Sequence, residues 1–223
     1  KLVGCAGGWF LFDVTFYGNT LFAPTVLKSV FHSTSQGIPT IGPTLSDNLC
    51  LQLMVLALIG LPGYYISVWL MDKVGRKTIQ LQGFAMMAVL YLILGLFLDR
   101  MKNNAILLLF IYGLTYFFSN FGPNSTTFIL PSETFPYEVR SSLNGVCAAT
   151  GKLGAVVGSA GFKPVANNAG TNVVFFVCAG CAIVGALITV FFVEDHRNRD
   201  MQAERERELV GTDLFDAQCS GRI

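Results

Sequence analysis

Apolar residues in this chain come in long unbroken runs rather than at the spacing of a soluble amphipathic helix or a half-buried strand. Residues 48–71, 78–98, 103–132 and 164–193 contain no Asp, Glu, Lys or Arg. Each run exceeds the roughly 20 residues that an α-helix needs to cross a bilayer. Two further runs are barely interrupted: residues 2–30 by Asp13 and Lys28, and residues 141–162 by Lys152. The pattern predicts six membrane-spanning helices, at residues 2–30, 49–70, 78–98, 104–130, 141–163 and 172–193, and a polar tail at 194–223. The predicted fold class is all-α and integral to a membrane.

Composition narrows the function. Of 223 residues, 52% are hydrophobic and 13% charged, against about 25% charged in a soluble domain, and mean hydropathy is +0.55. A net charge of +1, with no basic face carrying interleaved aromatics, argues against nucleic acid as a partner. Cys5, Cys50, Cys147, Cys178 and Cys181 fall in or beside apolar runs, so the Cys178-x-x-Cys181 pair reads as helix packing rather than redox chemistry. His32 and His196 lie outside the spans without metal-ligand spacing, and no serine, histidine and acid set suggests a hydrolase. The expectation is no enzyme, no metal and no cofactor. No signal peptide precedes the first apolar run, which reads as the resumption of a longer chain.

An even number of spans puts both ends on one side, and the count of Lys and Arg chooses the side. Lys73, Arg76, Lys77 and Arg140 stand on one face with Arg197, Arg199, Arg205, Arg207 and Arg222 of the tail. The other face has Arg100 and Lys102, with Lys28 and Lys163 at helix ends. The first face is read as cytoplasmic, with the tail, and the polar stretch at 32–47 as an exterior loop.

The chemistry-bearing residue is Asp13. A carboxylate at bilayer depth costs roughly 2.5–3.5 kcal/mol, so one kept there marks a partner or a cavity. Trp9 and Tyr17 stand four residues to either side, and that spacing places all three on one helix face. Lys152, midway along its own run, is the matching cation. A pair of this kind near the midplane is where carriers bind substrate, although structural pairing or snorkelling of the lysine remain alternatives. Pro123 removes an amide proton and frees a carbonyl one turn earlier, so a kinked helix would present Asn124 to a cavity. Asn120, one turn before, is the competing ligand. Gly151, Gly154, Gly158 and Gly161 are read as small residues that let helices approach closely. Two charged hinges complete the picture. Asp72, Gly75 and Arg76 form a tight turn between apolar runs, and Glu133 and Arg140 flank the second connection.

These residues carry a resemblance. The turn Asp72-Lys73-Val74-Gly75-Arg76-Lys77 resembles the cytoplasmic loop of the major facilitator superfamily. Trp9-x3-Asp13-x3-Tyr17, Asn120-Phe121-Gly122-Pro123-Asn124, Pro131-x-Glu133-x-Phe135-Pro136 and Gly151-Lys152 together resemble the C-terminal half of the proton-coupled inorganic phosphate transporters of plants and fungi. The resemblance covers residues 4–193. It implies a phosphate site between two six-helix halves, to which Trp9, Asp13, Tyr17, Asn124 and Lys152 contribute, with Asp13 linking the proton. It also implies alternating access in a plasma membrane, with Asp72, Gly75, Arg76, Glu133 and Arg140 latching the cytoplasmic face. The partners implied are phosphate, protons, the lipid bilayer and an N-terminal six-helix half. Two other readings are a facilitator for a sugar or organic ion, and a membrane sensor that binds phosphate without moving it.

Overall fold

The computed structural model describes residues 1–34, 49–101 and 104–194, and the polar stretch 35–48, Lys102, Asn103 and the tail from 195 onward lie outside them. Seven helices follow in order: α1 (Leu2–Thr34), α2 (Leu49–Val74), α3 (Arg76–Met101), α4 (Ala105–Asn120), α5 (Pro123–Thr134), α6 (Tyr137–Ala169) and α7 (Thr171–Phe192). The described part is thus all-α. Four stretches are long and apolar enough to cross a membrane: Gln52–Val74, Arg76–Met101, Ile106–Thr134 and Thr171–Phe192. Helices α1 and α6, which hold Asp13 and Lys152, are not among them.

The helix ends follow from local chemistry. Gly75 and Gly170 adopt φ of 94° and 95°, the left-handed conformation that glycine takes without steric cost, and they separate α2 from α3 and α6 from α7 with one residue each. Phe135 precedes Pro136, is held extended at φ −94°, ψ 143°, and ends α5. The expected fourth span is two helices rather than one kinked helix. Pro123 opens α5 at its first turn, where its missing amide costs nothing, and the Phe121 amide closes α4 by donating to the Phe117 carbonyl at 2.7 Å. The break sits where α3 presses in: a Cβ on Gly83 would lie 2.5 Å from Pro123 Cδ and 2.6 Å from Gly122 Cα.

Several helices outrun the apolar stretches that foretold them. Helix α1 continues to Thr34, so His32 is helical, not in a loop. Helix α6 contains Glu138, Arg140 and Lys163, so Lys163 is not at a helix end. Hydropathy marks the depth of hydrocarbon, whereas a helix continues until a proline, glycine or cap stops it.

Helices α1 and α6 run parallel in close contact. The positions that face Gly151, Gly154 and Gly158 are Trp9, Phe10 and Val14, and added Cβ atoms there would lie 2.5, 2.3 and 2.1 Å from them. Gly161, by contrast, faces open space. Helix α7 crosses antiparallel to α3: Gly185 packs on Phe84, Gly95 on Phe176, and Lys77 donates to the Val190 carbonyl at 3.0 Å. The main core lies among α1, α3, α4 and α7, around Phe84, Tyr91, Leu94, Tyr112, Phe175 and Cys178. A smaller cluster, with Cys5, Trp9, Leu130, Phe135 and Cys147, closes the end nearer Arg76. The described chain starts and finishes at that end, where Lys1 pairs with Glu194 at 2.8 Å.

Candidate functional site

The α1–α6 seam builds the site. Because Gly151 has no side chain, the Trp9 indole occupies its place, with Cδ1 2.5 Å from where a Cβ would stand. The next residue, Lys152, then reaches along α1 and lays its ammonium between two neighbours one turn apart. Nζ is 3.3 Å from Asp13 Oδ2 and 3.0 Å from the Tyr17 hydroxyl. Trp9 itself is buried beside this contact, 8% exposed.

The two charges are unequally buried. The Asp13 side chain is 3% exposed and that of Lys152 is 60% exposed. In this half the aliphatic stem of Lys152 covers the seam while its ammonium stays on the open face of the helices. Tyr17, 37% exposed, shares that face.

Asn124 belongs to the first turn of α5. Its amide donates to the Tyr64 hydroxyl of α2 and to Asn120 Oδ1 at 2.8 Å. Asn120 is buried and donates to the Gly60 carbonyl at 3.0 Å. Both ends of the Asn120 amide are therefore used inside the protein, while Asn124 stays partly open. Tyr64 of α2 and Tyr17 of α1 are both partly exposed, at 39% and 37%.

The sequence reading missed Tyr64, and it missed two buried polar junctions. Gln80 of α3 donates to Thr189 Oγ1 of α7 and accepts from Thr126 Oγ1 of α5, both at 2.9 Å. Asn19 of α1 accepts from the Tyr112 hydroxyl at 2.6 Å and donates to the Tyr91 hydroxyl at 3.3 Å. For the two junctions the signal was available, since buried polar side chains need partners and Gln80 and Asn19 stood in apolar runs.

At the charged end, Arg76 holds Asp72 at 2.9 Å and Glu133 at 2.9 Å and donates to the Met71 carbonyl at 3.3 Å. Asp72, Gly75, Arg76 and Glu133 thus form one cluster. Arg140 does not join it; its guanidinium donates to the Phe135 carbonyl at 3.1 Å, closing the α5–α6 corner.

Chemically, the open face offers an ammonium, two phenols and a primary amide around one buried carboxylate, with the Trp9 indole buried in the seam beside them. Donors outnumber acceptors, which suits an anion with several oxygens.

Comparison with known proteins gives the family of the chain. The family model described as sugar (and other) transporter matches residues 7–205. Probable inorganic phosphate transporter 1-6 of Arabidopsis thaliana is 35% identical over 213 residues, covering 94% of this chain and 41% of that protein. Probable inorganic phosphate transporter 1-8 of Oryza sativa subsp. japonica is 39% identical over 220 residues, covering 90% and 39%. The inorganic phosphate transporter PHO84 of Saccharomyces cerevisiae is 38% identical over 156 residues, covering 70% and 26%. The chain therefore spans about two fifths or less of the length of these relatives. It belongs to the sugar (and other) transporter family of the major facilitator superfamily, and its relatives there are inorganic phosphate transporters of plants and yeast.

Proposed function

We propose that this chain is the C-terminal half of a proton-coupled symporter for inorganic phosphate. The observation that carries the reading is the Lys152 ammonium, held between Asp13 and Tyr17 on an otherwise donor-rich open face. Six crossings complete the half, with α1 and α6 spanning beside the four more apolar stretches and α4 and α5 counting as one. An N-terminal half covers the open face. The membrane is the plasma membrane, and the tail and the Arg76 end face the cytoplasm.

Coupling follows from electrostatics. An ionised Asp13 occupies the Lys152 charge and repels an incoming phosphate, and in a dry pocket that repulsion is large. Protonation of Asp13 removes it and frees Lys152 for the oxyanion, so phosphate binding and proton binding favour one another. Tyr17, Trp9 and Asn124 orient the phosphate oxygens. The halves rock about the loaded site, and Asp72, Gly75, Arg76, Glu133 and Arg140 close its cytoplasmic side while it is open outward.

The test uses the full-length transporter in sealed vesicles, supplied in parallel with labelled phosphate and labelled hexose. Acid outside should drive phosphate accumulation and leave hexose behind. Asp13→Asn should abolish the pH-driven part while phosphate still binds. Hexose uptake without phosphate uptake, or undiminished pH-driven uptake by Asp13→Asn, would refute the reading.

A further inference from the structure

Lysine 163 stands apart from the other cations. Every other Lys or Arg among the described side chains is engaged: Lys1, Arg76 and Lys152 in ion pairs, Lys77 and Arg140 on backbone carbonyls, Lys73 and Arg100 over aromatic rings. Lys163 is exposed and, among the described residues, has no acidic partner. Its position on α6 is specific. Ser159 and Lys163 follow Lys152 by 7 and 11 residues, and at 3.6 residues per turn both fall within about 20° of its direction around the helix. The same helix rise places Lys163 about 16 Å beyond Lys152, away from the Arg76 end.

A cavity of about 160 Å³ opens at this point, lined by Gly18, Leu21, Phe22, Ser159, Phe162 and Lys163. Its floor is closed because Gly18, the residue after Tyr17, lets the Phe162 ring sit where a side chain would be, 2.6 Å from the Cβ position. The cavity thus adjoins the Tyr17–Lys152 contact on the α1 side and carries an uncommitted ammonium at its rim. Ser159 supplies the other polar side chain of the lining, its hydroxyl turned here to the Ala155 carbonyl at 2.5 Å.

We propose that Lys163 is the charged centre of an outer oxyanion site, which holds a phosphate group one step before Lys152 receives it. This rests on the phosphate reading above. Two cations on one helix face form a graded path, in which the outer one gathers anions from solution and the inner one exchanges them against Asp13. Charge-lined clefts raise local anion concentration in this way, and the effect weakens with salt.

The experiment measures initial phosphate uptake by the full-length transporter in zwitterionic vesicles. Lys163→Glu should raise KM roughly tenfold at ~10 mM salt with kcat unchanged, since the Debye length there is about 30 Å, and the difference should vanish near 1 M, where it is about 3 Å. Lys163→Arg should behave as wild type. A second arm adds anionic phosphatidylglycerol and measures, by native mass spectrometry, the lipid retained by wild type and Lys163→Gln. Loss of retained lipid with KM unmoved would make the site one for a lipid headgroup and overturn its place on the path to Lys152. Movement of neither quantity overturns the proposal, as does a salt-independent fall in kcat that Lys163→Arg shares. Should the wild type carry hexose instead of phosphate, the symporter reading fails, and the lipid arm still decides whether the site exists.

Discussion

At the scale of single residues, the molecule turns on a carboxylate that is buried and an ammonium that is not. Removing one partner of a buried ion pair leaves an uncompensated charge and costs about 3–5 kcal/mol. The Lys152 side chain is 60% exposed, so solvent screening reduces that to about 1–2 kcal/mol. Lys152→Ala should therefore lower thermal stability moderately and phosphate affinity severely. Adding Asp13→Asn should restore most of the stability and none of the affinity. Parallel melting curves and phosphate titrations separate the two effects, and an unchanged affinity in Lys152→Ala would take the lysine out of the site. The convergence of Trp9, Asp13, Tyr17 and Lys152 was legible because one turn of helix separates each α1 member and charges are scarce at this depth. Tyr64 was not legible. It is one of seven tyrosines, and only the parallel packing of α2 on α4 reveals that it meets Asn124.

At the scale of elements, close contact is set by glycines, and their spacing alone did not say which were used. A Cβ at Gly158 would stand 2.1 Å from the Val14 carbonyl oxygen, a backbone atom that cannot swing aside, whereas Gly161 has nothing near it. Gly158→Ala should destabilise by about 1–3 kcal/mol through overpacking, and Gly161→Ala should be neutral or slightly stabilising. Thermal unfolding of the two variants in detergent would show equal melting points if the seam were not packed this way. The α4–α5 break offers a second contrast. Asn120 ties the end of α4 to Gly60 of α2, and Asn124 lies one turn on with its amide partly open. Asn120→Ala should cost about 1–3 kcal/mol, because buried groups lose their partner, and Asn124→Ala should raise KM with little loss of stability. The reverse assignment would make Asn120 the ligand. Sequence could name this pair but could not rank it on physical grounds, since both are asparagines beside Pro123. The distinction comes from burial and from the backbone of α2: Asn120 is buried and donates to the Gly60 carbonyl, whereas Asn124 meets only the Tyr64 hydroxyl there and stays partly open.

At the scale of the whole molecule, the charged end is where several helices are tied together. Arg76 begins α3, pairs with Asp72 near the end of α2, and crosses to Glu133 near the end of α5. Two turns along α5 from Glu133, Thr126 meets Gln80, which lies one turn along α3 from Arg76. Helix α5 is therefore fixed to α3 by an outer ionic rung and an inner polar rung, and beyond them it carries Asn124. Partly exposed ion pairs are worth about 0–1 kcal/mol, so the outer rung matters little for folding. On the symporter reading proposed above, its consequence is conformational, because an end-on tie among three helices biases whichever state keeps that end closed. Arg76→Gln should leave the melting temperature within a few degrees and phosphate affinity near wild type, while the maximal uptake rate falls severalfold. The swapped pair Arg76→Glu with Glu133→Arg should recover part of that rate, limited by the repulsion that Glu at position 76 would feel from Asp72 one turn away. Adding Asp72→Asn to the swap should recover more. Uptake rates of the four proteins, measured against their melting curves, test the tie directly: a swap no faster than Arg76→Gln would mean that Arg76 acts through something other than its bond to Glu133.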